Sequence, residues 1–250
     1  MKAVISDIHS NLEALAAVLG DIRAKGITDI ACLGDVIGYG PNPKECLDLL
    51  RDAKVRFILM GNHEEALLSG GEDFNVKARL AVAWTRKQLE EKFAAEPGGV
   101  TVWNWVKALP PLVREKDILY VHASPRDPTK DYVFPRDVYD GAKMRDIFSR
   151  IDRICFCGHT HQPGVITETG KFLSPKDFIN VFFLEKEKVL VNVGSVGQPR
   201  DGDNRAGYVT LDDDTIVFRR VPYEYTRTIE KVYAEDALDK FLGDRLEEGR

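Results

Sequence analysis

The sequence predicts an α/β fold: a four-layer sandwich of two sheets with helices outside, formed by a single domain over residues 1–250. Three observations carry this. In the first sixty residues, short apolar runs alternate with helical patterns, which implies right-handed crossovers and a largely parallel sheet. From Leu112 onward the pattern turns β-rich, with turn-forming residues between runs. No repeat, low-complexity stretch or linker-like break divides the chain.

Residues 2–6 form a short apolar run that ends at Asp7. A helical pattern follows over residues 10–24, with Leu12, Leu15, Ala16 and Leu19 on one face. Residues 29–33 repeat the strand and end at Gly34-Asp35; residues 55–60 repeat it again and end at Gly61-Asn62-His63. In such sheets function gathers beyond the carboxyl ends of the strands, where all three polar clusters fall. Residues 76–93 predict a helix with Leu80, Val82, Ala83 and Leu89, broken by Glu96-Pro97-Gly98-Gly99. Residues 102–109 are a short amphipathic piece closed by Pro110-Pro111. Residues 118–121 run into His122, and residues 153–157 into Gly158-His159-Thr160-His161. Residues 178–184 and 189–193 predict a hairpin; residues 207–211 and 215–221 predict another, turned by Asp212-Asp213-Asp214. A last helix spans residues 226–242. The proline-rich residues 125–135, directly after His122, form a loop placed to bind.

The composition is that of an ordinary globular protein, and the net charge of −5 gives no sign of a nucleic-acid coat. A nucleotide substrate is compatible with that charge, because bound metal ions supply local positive charge. Cys32, Cys46, Cys155 and Cys157 sit in apolar surroundings and read as buried small hydrophobes rather than thiolate ligands. Cys155 and Cys157 share one face of a strand about 7 Å apart, too far for an easy disulfide. The first residues form a strand with no secretory leader, and no apolar run spans a bilayer, so the expected setting is cytoplasmic.

The chemistry lies in the histidines. The chain has five, His9, His63, His122, His159 and His161, and each follows an apolar run within a few residues. Asp7-Ile8-His9 places a carboxylate and an imidazole two apart, where an extended chain ending aims both the same way. His159-Thr160-His161 repeats the device, while Asp35 and Asn62 add oxygen donors. Nitrogen and oxygen donors without thiolate suit Mn, Fe, Zn, Co or Ni ions. Asp7, His9, Asp35, Asn62, His122, His159 and His161 are too many donors for one ion, and suit two ions sharing a bridging carboxylate.

Asp7-x-His9, Gly34-Asp35, Gly61-Asn62-His63-Glu64, His122 and Gly158-His159-x-His161, in that order, resemble the signature of the calcineurin-like metallophosphoesterases. The resemblance implies a metallophosphoesterase-like sandwich and two divalent metal ions, manganese favoured. It implies that Asp7, His9 and His161 hold one ion, Asn62, His122 and His159 the other, with Asp35 bridging. His63 then faces the substrate, and Glu64, standing where many members carry aspartate, orients His63. The loop from Gly34 to Gly40 lacks the arginine of the protein phosphatases, which points to the smaller prokaryotic phosphoesterases.

Two metal ions lower the pKa of a shared water and clamp the phosphoryl oxygens, so a metal-bridging hydroxide is the expected nucleophile. His63 is expected to protonate the leaving group or to stabilise charge on the phosphoryl oxygens. Asn11 is either a phosphate contact or the start of the first helix. Arg200, after the glycine-rich Asn192-Val193-Gly194-Ser195-Val196-Gly197, either reaches the phosphate or belongs to a turn. Residues 38–43 are a turn or a substrate-facing loop. The partner is a small phosphorylated substrate, nucleotides included. A phosphodiesterase is the leading expectation, with a phosphomonoesterase, a protein phosphatase or a dinucleoside polyphosphate hydrolase as alternatives. A non-catalytic metal-binding scaffold is the alternative of another class. His63 separates it from an enzyme, because metal binding alone does not need it.

Overall fold

The structure, a computed structural model, describes residues 1–94 and 102–250. The expected break at Glu96-Pro97-Gly98-Gly99 lies outside the described residues. Strand β1 (Lys2–Ile5), helix α1 (Leu12–Ala24) and strand β2 (Asp29–Cys32) open the chain. Helix α2 (Pro43–Asp52), strand β3 (Phe57–Ile58), and helices α3 (Asn62–Ser69), α4 (Val76–Ala94) and α5 (Val102–Ala108) follow. Strands β4 (Leu112–Glu115) and β5 (Ile118–Val121) precede helix α6 (Gly141–Ser149) and strand β6 (Ile154–Cys157). Then come β7 (Gly164–Thr167), β8 (Phe172–Leu173), β9 (Val181–Phe183) and β10 (Val189–Asn192). Strands β11 (Ala206–Asp212) and β12 (Thr215–Val221) and helices α7 (Tyr225–Ala234) and α8 (Phe241–Glu248) complete the chain.

Among the described residues, twelve strands form two six-stranded sheets, ordered β3-β2-β1-β11-β12-β9 and β4-β5-β6-β10-β7-β8. The pairs β1–β2, β2–β3, β5–β6 and β6–β10 are parallel. Alternation along each strand builds the layers, since successive side chains face opposite ways. Val4 joins Tyr120, Ile154, Phe156, Val191 and Val209 in the core between the sheets. Its neighbours Ala3 and Ile5 turn outward and pack with Leu15, Val18, Leu19 and Ile22 of α1. Likewise Cys155 and Cys157 share one face and pack against Met144, Ile147 and Phe148 of α6. Each fully buried Leu, Ile or Phe contributes roughly 1.5–3 kcal/mol, so the three apolar layers need no crosslink. All four thiols are free and buried.

The sequence reading holds for the β11–β12 hairpin, which pairs from Ala206↔Val221 to Asp212↔Thr215. It fails for the hairpin expected of residues 178–184 and 189–193. Strand β9 pairs with β12 in the first sheet, whereas β10 lies between β6 and β7 in the second. The cause is burial: all four β10 residues are buried, which demands neighbours on both edges, while β9 ends in exposed Phe183 and suits a sheet margin. The last predicted helix is two helices, α7 and α8, and its second half runs beyond residue 242.

Candidate metal centre and active site

The expected donors converge on one edge of the sandwich. Asp7 and His9 follow β1, Asp35 follows β2, and Asn62 and His63 open α3 just after β3. His122 follows β5, and His159 and His161 follow β6. The reason differs from the extended ending anticipated above. Asp7, His9, Asp35, His159 and His161 have φ of 54°, 48°, 50°, 65° and 59°, all in the left-handed region. Such φ values are uncommon outside glycine and gather at functional sites when neighbouring structure enforces them. Here the Asp7 and His9 amides donate to the carbonyls of Gly34 and Asp35 at 3.1 and 2.9 Å. The Gly197 amide donates to the Asp7 carbonyl at 2.9 Å from the other side. Glycine is required at Gly158, where a Cβ would collide with the Ser6 hydroxyl and the Asp7 carboxylate.

Ring orientation provides a test of whether these residues fit metal ions. The Nδ1 atoms of His9, His122 and His161 lie 3.2, 3.2 and 2.5 Å from the carbonyl oxygens of Ile37, Leu33 and Gln198. A carbonyl only accepts, so each Nδ1 carries the proton and each Nε2 presents a lone pair. Those lone pairs meet other acceptors. His9 Nε2 faces His161 Nε2 at 3.1 Å, and His122 Nε2 faces Asn62 Oδ1 at 3.0 Å. His159 Nδ1 stands 3.1 Å from His122 Nε2, and Asp7 Oδ1 stands 3.2 Å from His161 Nε2. Lone pairs gathered this closely in a buried site call for cations, and the outer carbonyls orient the rings as in known metal sites. Asp7, His9 and His161 form one compact ligand group, and Asp35, His122 and His159 a second; a third, His9, Asp35 and His63, overlaps both. The carboxylate Oδ2 of Asp35 lies 3.7 Å from His9 Nε2 and 3.4 Å from His122 Nε2.

Charge bears this out. Burial, then the charges of Glu64 and Asp7, push the Asp35 carboxyl well above its ordinary value. Burial opposes ionisation of Asp7 too, but the charge and hydrogen bond of His161 hold it low. Burial lowers His159 to about 2 and His161 to about 4, the first also pushed down by His122 and the second by Arg200. All the rings are therefore neutral near pH 7, the state a metal ligand needs.

His63 is buried in a cage of rings: Tyr39 at 4.4 Å, His9 at 4.8 Å and Phe74 at 4.8 Å between centroids. Its Nδ1 is buried with no hydrogen-bond partner among the described residues. Glu64 does not orient it, which corrects the expectation. Glu64 Oε2 accepts the main-chain N–H of Asp35 at 2.8 Å and of Gly61 at 3.0 Å. Its Oε1 accepts those of Val36 at 2.8 Å and Ile37 at 3.3 Å. On a helix, neighbouring residues point about 100° apart, so Glu64 turns into the Asp35 loop while His63 faces the cage.

Asn11 is also corrected. It is 1% exposed, its Oδ1 caps α1 by accepting from the Ala14 amide at 3.1 Å, and its Nδ2 donates to Gly197 O at 2.8 Å. Of its two readings, helix start is the one the structure takes. Arg200 lies beside Tyr39: its guanidinium is 6.0 Å from the Tyr39 ring and donates to Gln198 Oε1 at 2.8 Å. After burial and the neighbouring histidines, its charge also depresses His9. Tyr132, unremarked within residues 125–135, lies 4.0 Å from the His159 ring and is 47% exposed. Its placement in a long loop directly after a ligand was the available signal.

The chain matches the calcineurin-like phosphoesterase superfamily domain over residues 1–215. It is 40% identical to an uncharacterized protein of Methanocaldococcus jannaschii, covering all of this chain and 98% of that one. The crystal structure of a metallophosphoesterase from Sphaerobacter thermophilus superposes with a TM-score of 0.81 at 34% identity, covering 99% of this chain and 98% of that one. A symmetrical bis(5'-nucleosyl)-tetraphosphatase of Neisseria meningitidis is 32% identical over 121 residues, 48% of this chain and 41% of its own. Fold, ligand geometry and likeness agree on a class, the metal-dependent phosphoesterases. Within it, this chain belongs to the calcineurin-like phosphoesterase superfamily.

Proposed function

We propose that the protein hydrolyses a phosphodiester at two divalent ions, manganese favoured among the metals that suit nitrogen and oxygen donors. Asp7, His9 and His161 would hold one ion, Asn62, His122 and His159 the other, and Asp35 both. When bound, the ions supply a clamp for phosphoryl oxygens and acidify a water for attack. The observation that carries a diester is the pair of tyrosines on opposite halves of the ligand set. Tyr39 packs 4.7 Å from His9 and Tyr132 packs 4.0 Å from His159. A phosphoryl group held between them has a wall for a substituent on each side. Burial and the charges of His122 and Arg200 keep His63 well below its usual pKa, hence neutral near pH 7. It therefore serves best as a neutral N–H donor to oxygen that gains charge, or as the carrier of a proton that arrives with the substrate. The half-length likeness to the Neisseria tetraphosphatase supports a dinucleoside polyphosphate as a second reading. Four buried, unpaired thiols support a reducing, cytoplasmic setting.

Turnover of bis-p-nitrophenyl phosphate and of p-nitrophenyl phosphate with Mn²⁺ tests the reading. The diester should be hydrolysed faster, and a faster monoester would overturn it. His63→Ala should keep both metals and lose about 10²–10⁴-fold in kcat on an ester with an alkoxide leaving group. The loss should be smaller with p-nitrophenolate. A lost metal would make His63 a ligand instead.

A further inference from the structure

A cleft of about 680 Å³ opens beside the candidate metal centre, on the same edge of the sandwich. Strand pairing fixes that placement. Asn192 of β10 is level with Cys157, which ends β6 just before the ligand histidines, and with Gly164, which opens β7. Gln162 and Pro163, directly after His161, therefore carry one wall of the cleft up to the cluster. The opposite wall, Asp201, Asp203 and Arg205, begins just after Gln198, whose carbonyl meets His161 Nδ1 at 2.5 Å. On its far side the cleft reaches Arg219 of β12. Arg219 is level with Tyr208 of β11, and the neighbouring Val209 stands opposite Val4 of β1. Arg219 is thus two strands, roughly 10 Å, across from Ile5, which lies just short of Asp7.

The cleft exists because both sheets fray at this margin. Strand β9 pairs with β12 only from Thr215 to Val217. Asn180 then accepts the Phe218 amide at 2.9 Å and turns off together with Ile179, at φ of 63° and 53°. A β-branched residue is strained in that region, so the neighbouring structure holds the turn in place. In the other sheet β8 is only two residues long. The space left between is walled by buried Pro163 and Phe218 and half-buried Phe172. Its acids are already matched: Asp201 pairs with Arg220, Asp203 with Arg205, and Asp21 with Lys25. Two cations on the lining are not. Among the described residues, Arg219 and Lys176 have no ion pair, and Arg219 Nε is buried without a hydrogen-bond partner. A buried guanidinium nitrogen without an acceptor costs free energy that a bound anion recovers.

We infer that this cleft is a nucleotide subsite. It takes a substituent of the scissile phosphorus, with a ring-bearing body against Phe172 and Pro163 and an anionic end at Arg219. This rests on the phosphodiester reading and names the substrate class within it. A glycerol or alkyl substituent would leave the apolar walls and both cations unused. Neither Tyr39 nor Tyr132 lines the cleft. The tyrosines wall the phosphoryl group, and the cleft receives what extends beyond them.

The test is calorimetric binding to Mn²⁺-loaded protein of methyl phosphate, thymidine 5'-monophosphate and thymidine 3',5'-bisphosphate, at equal free metal. All three offer the metal centre a phosphate monoester, so differences report on what lies beyond it. The thymidine monophosphate should bind at least about tenfold more tightly than methyl phosphate, through burial of the ring. The second phosphate should add about another tenfold through Arg219. Equal affinities for methyl phosphate and the thymidine monophosphate would overturn the subsite, and this comparison needs no variant. Ser174→Trp, which sets a ring into the cleft lining, should cancel both gains, and Arg219→Met only the second. Gains that survive both variants would move the nucleotide onto the tyrosine walls and out of the cleft. Protein that shows both gains yet hydrolyses no diester keeps the subsite and loses the phosphodiester reading. Protein that turns over bis-p-nitrophenyl phosphate with neither gain does the reverse.

Discussion

The carboxylate of Glu64 accepts the main-chain N–H of Asp35 at 2.8 Å. A residue one place from the candidate general acid is therefore committed to the backbone of the candidate bridging ligand. Glu64→Gln should weaken both metal sites, roughly 10–100-fold as for other outer-shell groups. It should also lower stability by about 1–3 kcal/mol, because an amide nitrogen turns toward a main-chain donor. Metal titration and thermal unfolding check this. Intact metal affinity with a selective loss of turnover would return Glu64 to the service of His63.

Asp35 Oδ2 stands between His9 and His122, one from each ligand group. Asp35→Asn should lower the affinity of both ions together, since a neutral amide replaces the shared charge. Elemental analysis after dialysis should show metal content falling from two toward zero. A stable one-metal form would show that Asp35 serves a single ion.

Asn11→Ala tests the reassignment of that side chain. Losing the cap of α1 should cost about 1 kcal/mol. The Gly197 carbonyl and Thr228 hydroxyl also lose a partner, so the total should exceed the cap alone. Denaturant melts supply the number. The KM for bis-p-nitrophenyl phosphate should rise less than in Arg200→Ala; a larger rise would put Asn11 back on the substrate.

Tyr223 provides an alkaline probe. Burial raises its phenol to about 12, although the bond from Asn11 pulls the other way. Because the folded value lies above the unfolded one near 10, its stabilisation is whole below pH 10 and is lost as pH climbs through 12. Wild type should lose roughly 2 kcal/mol relative to Tyr223→Phe across that interval, at about 1.4 kcal/mol per pKa unit. Urea unfolding at pH 9 and pH 12 measures it, and parallel losses in both proteins would contradict it.

The candidate ligand set was legible because each histidine follows an apolar run, and a parallel sheet gathers such endings on one side. The cause of the convergence was not legible, since left-handed φ at Asp7 and His9 depends on clamps from residues 34–35 and 197, far away in sequence. The missed crossing from β9 to β10 has a similar origin: a four-residue turn between two apolar runs looks local, but burial on both edges is a property of the finished sheet. The role of Glu64 and the split of the last helix were hidden for opposite reasons. Adjacency to His63 suggested a contact that helical geometry forbids, and the apolar period of the last helix fades before α8 resumes it.

The donors come from both sheets. Asp7, His9, Asp35 and Asn62 follow strands of one sheet; His122, His159 and His161 follow strands of the other. Ions bound there would rivet the halves of the sandwich across 152 residues of sequence between His9 and His161. A ligand that binds only the folded form adds about 4 kcal/mol when present at a thousand times its Kd. Metal supply would then set how long each copy survives proteolysis as well as how fast it turns over, and starvation for the ion would deplete the protein itself.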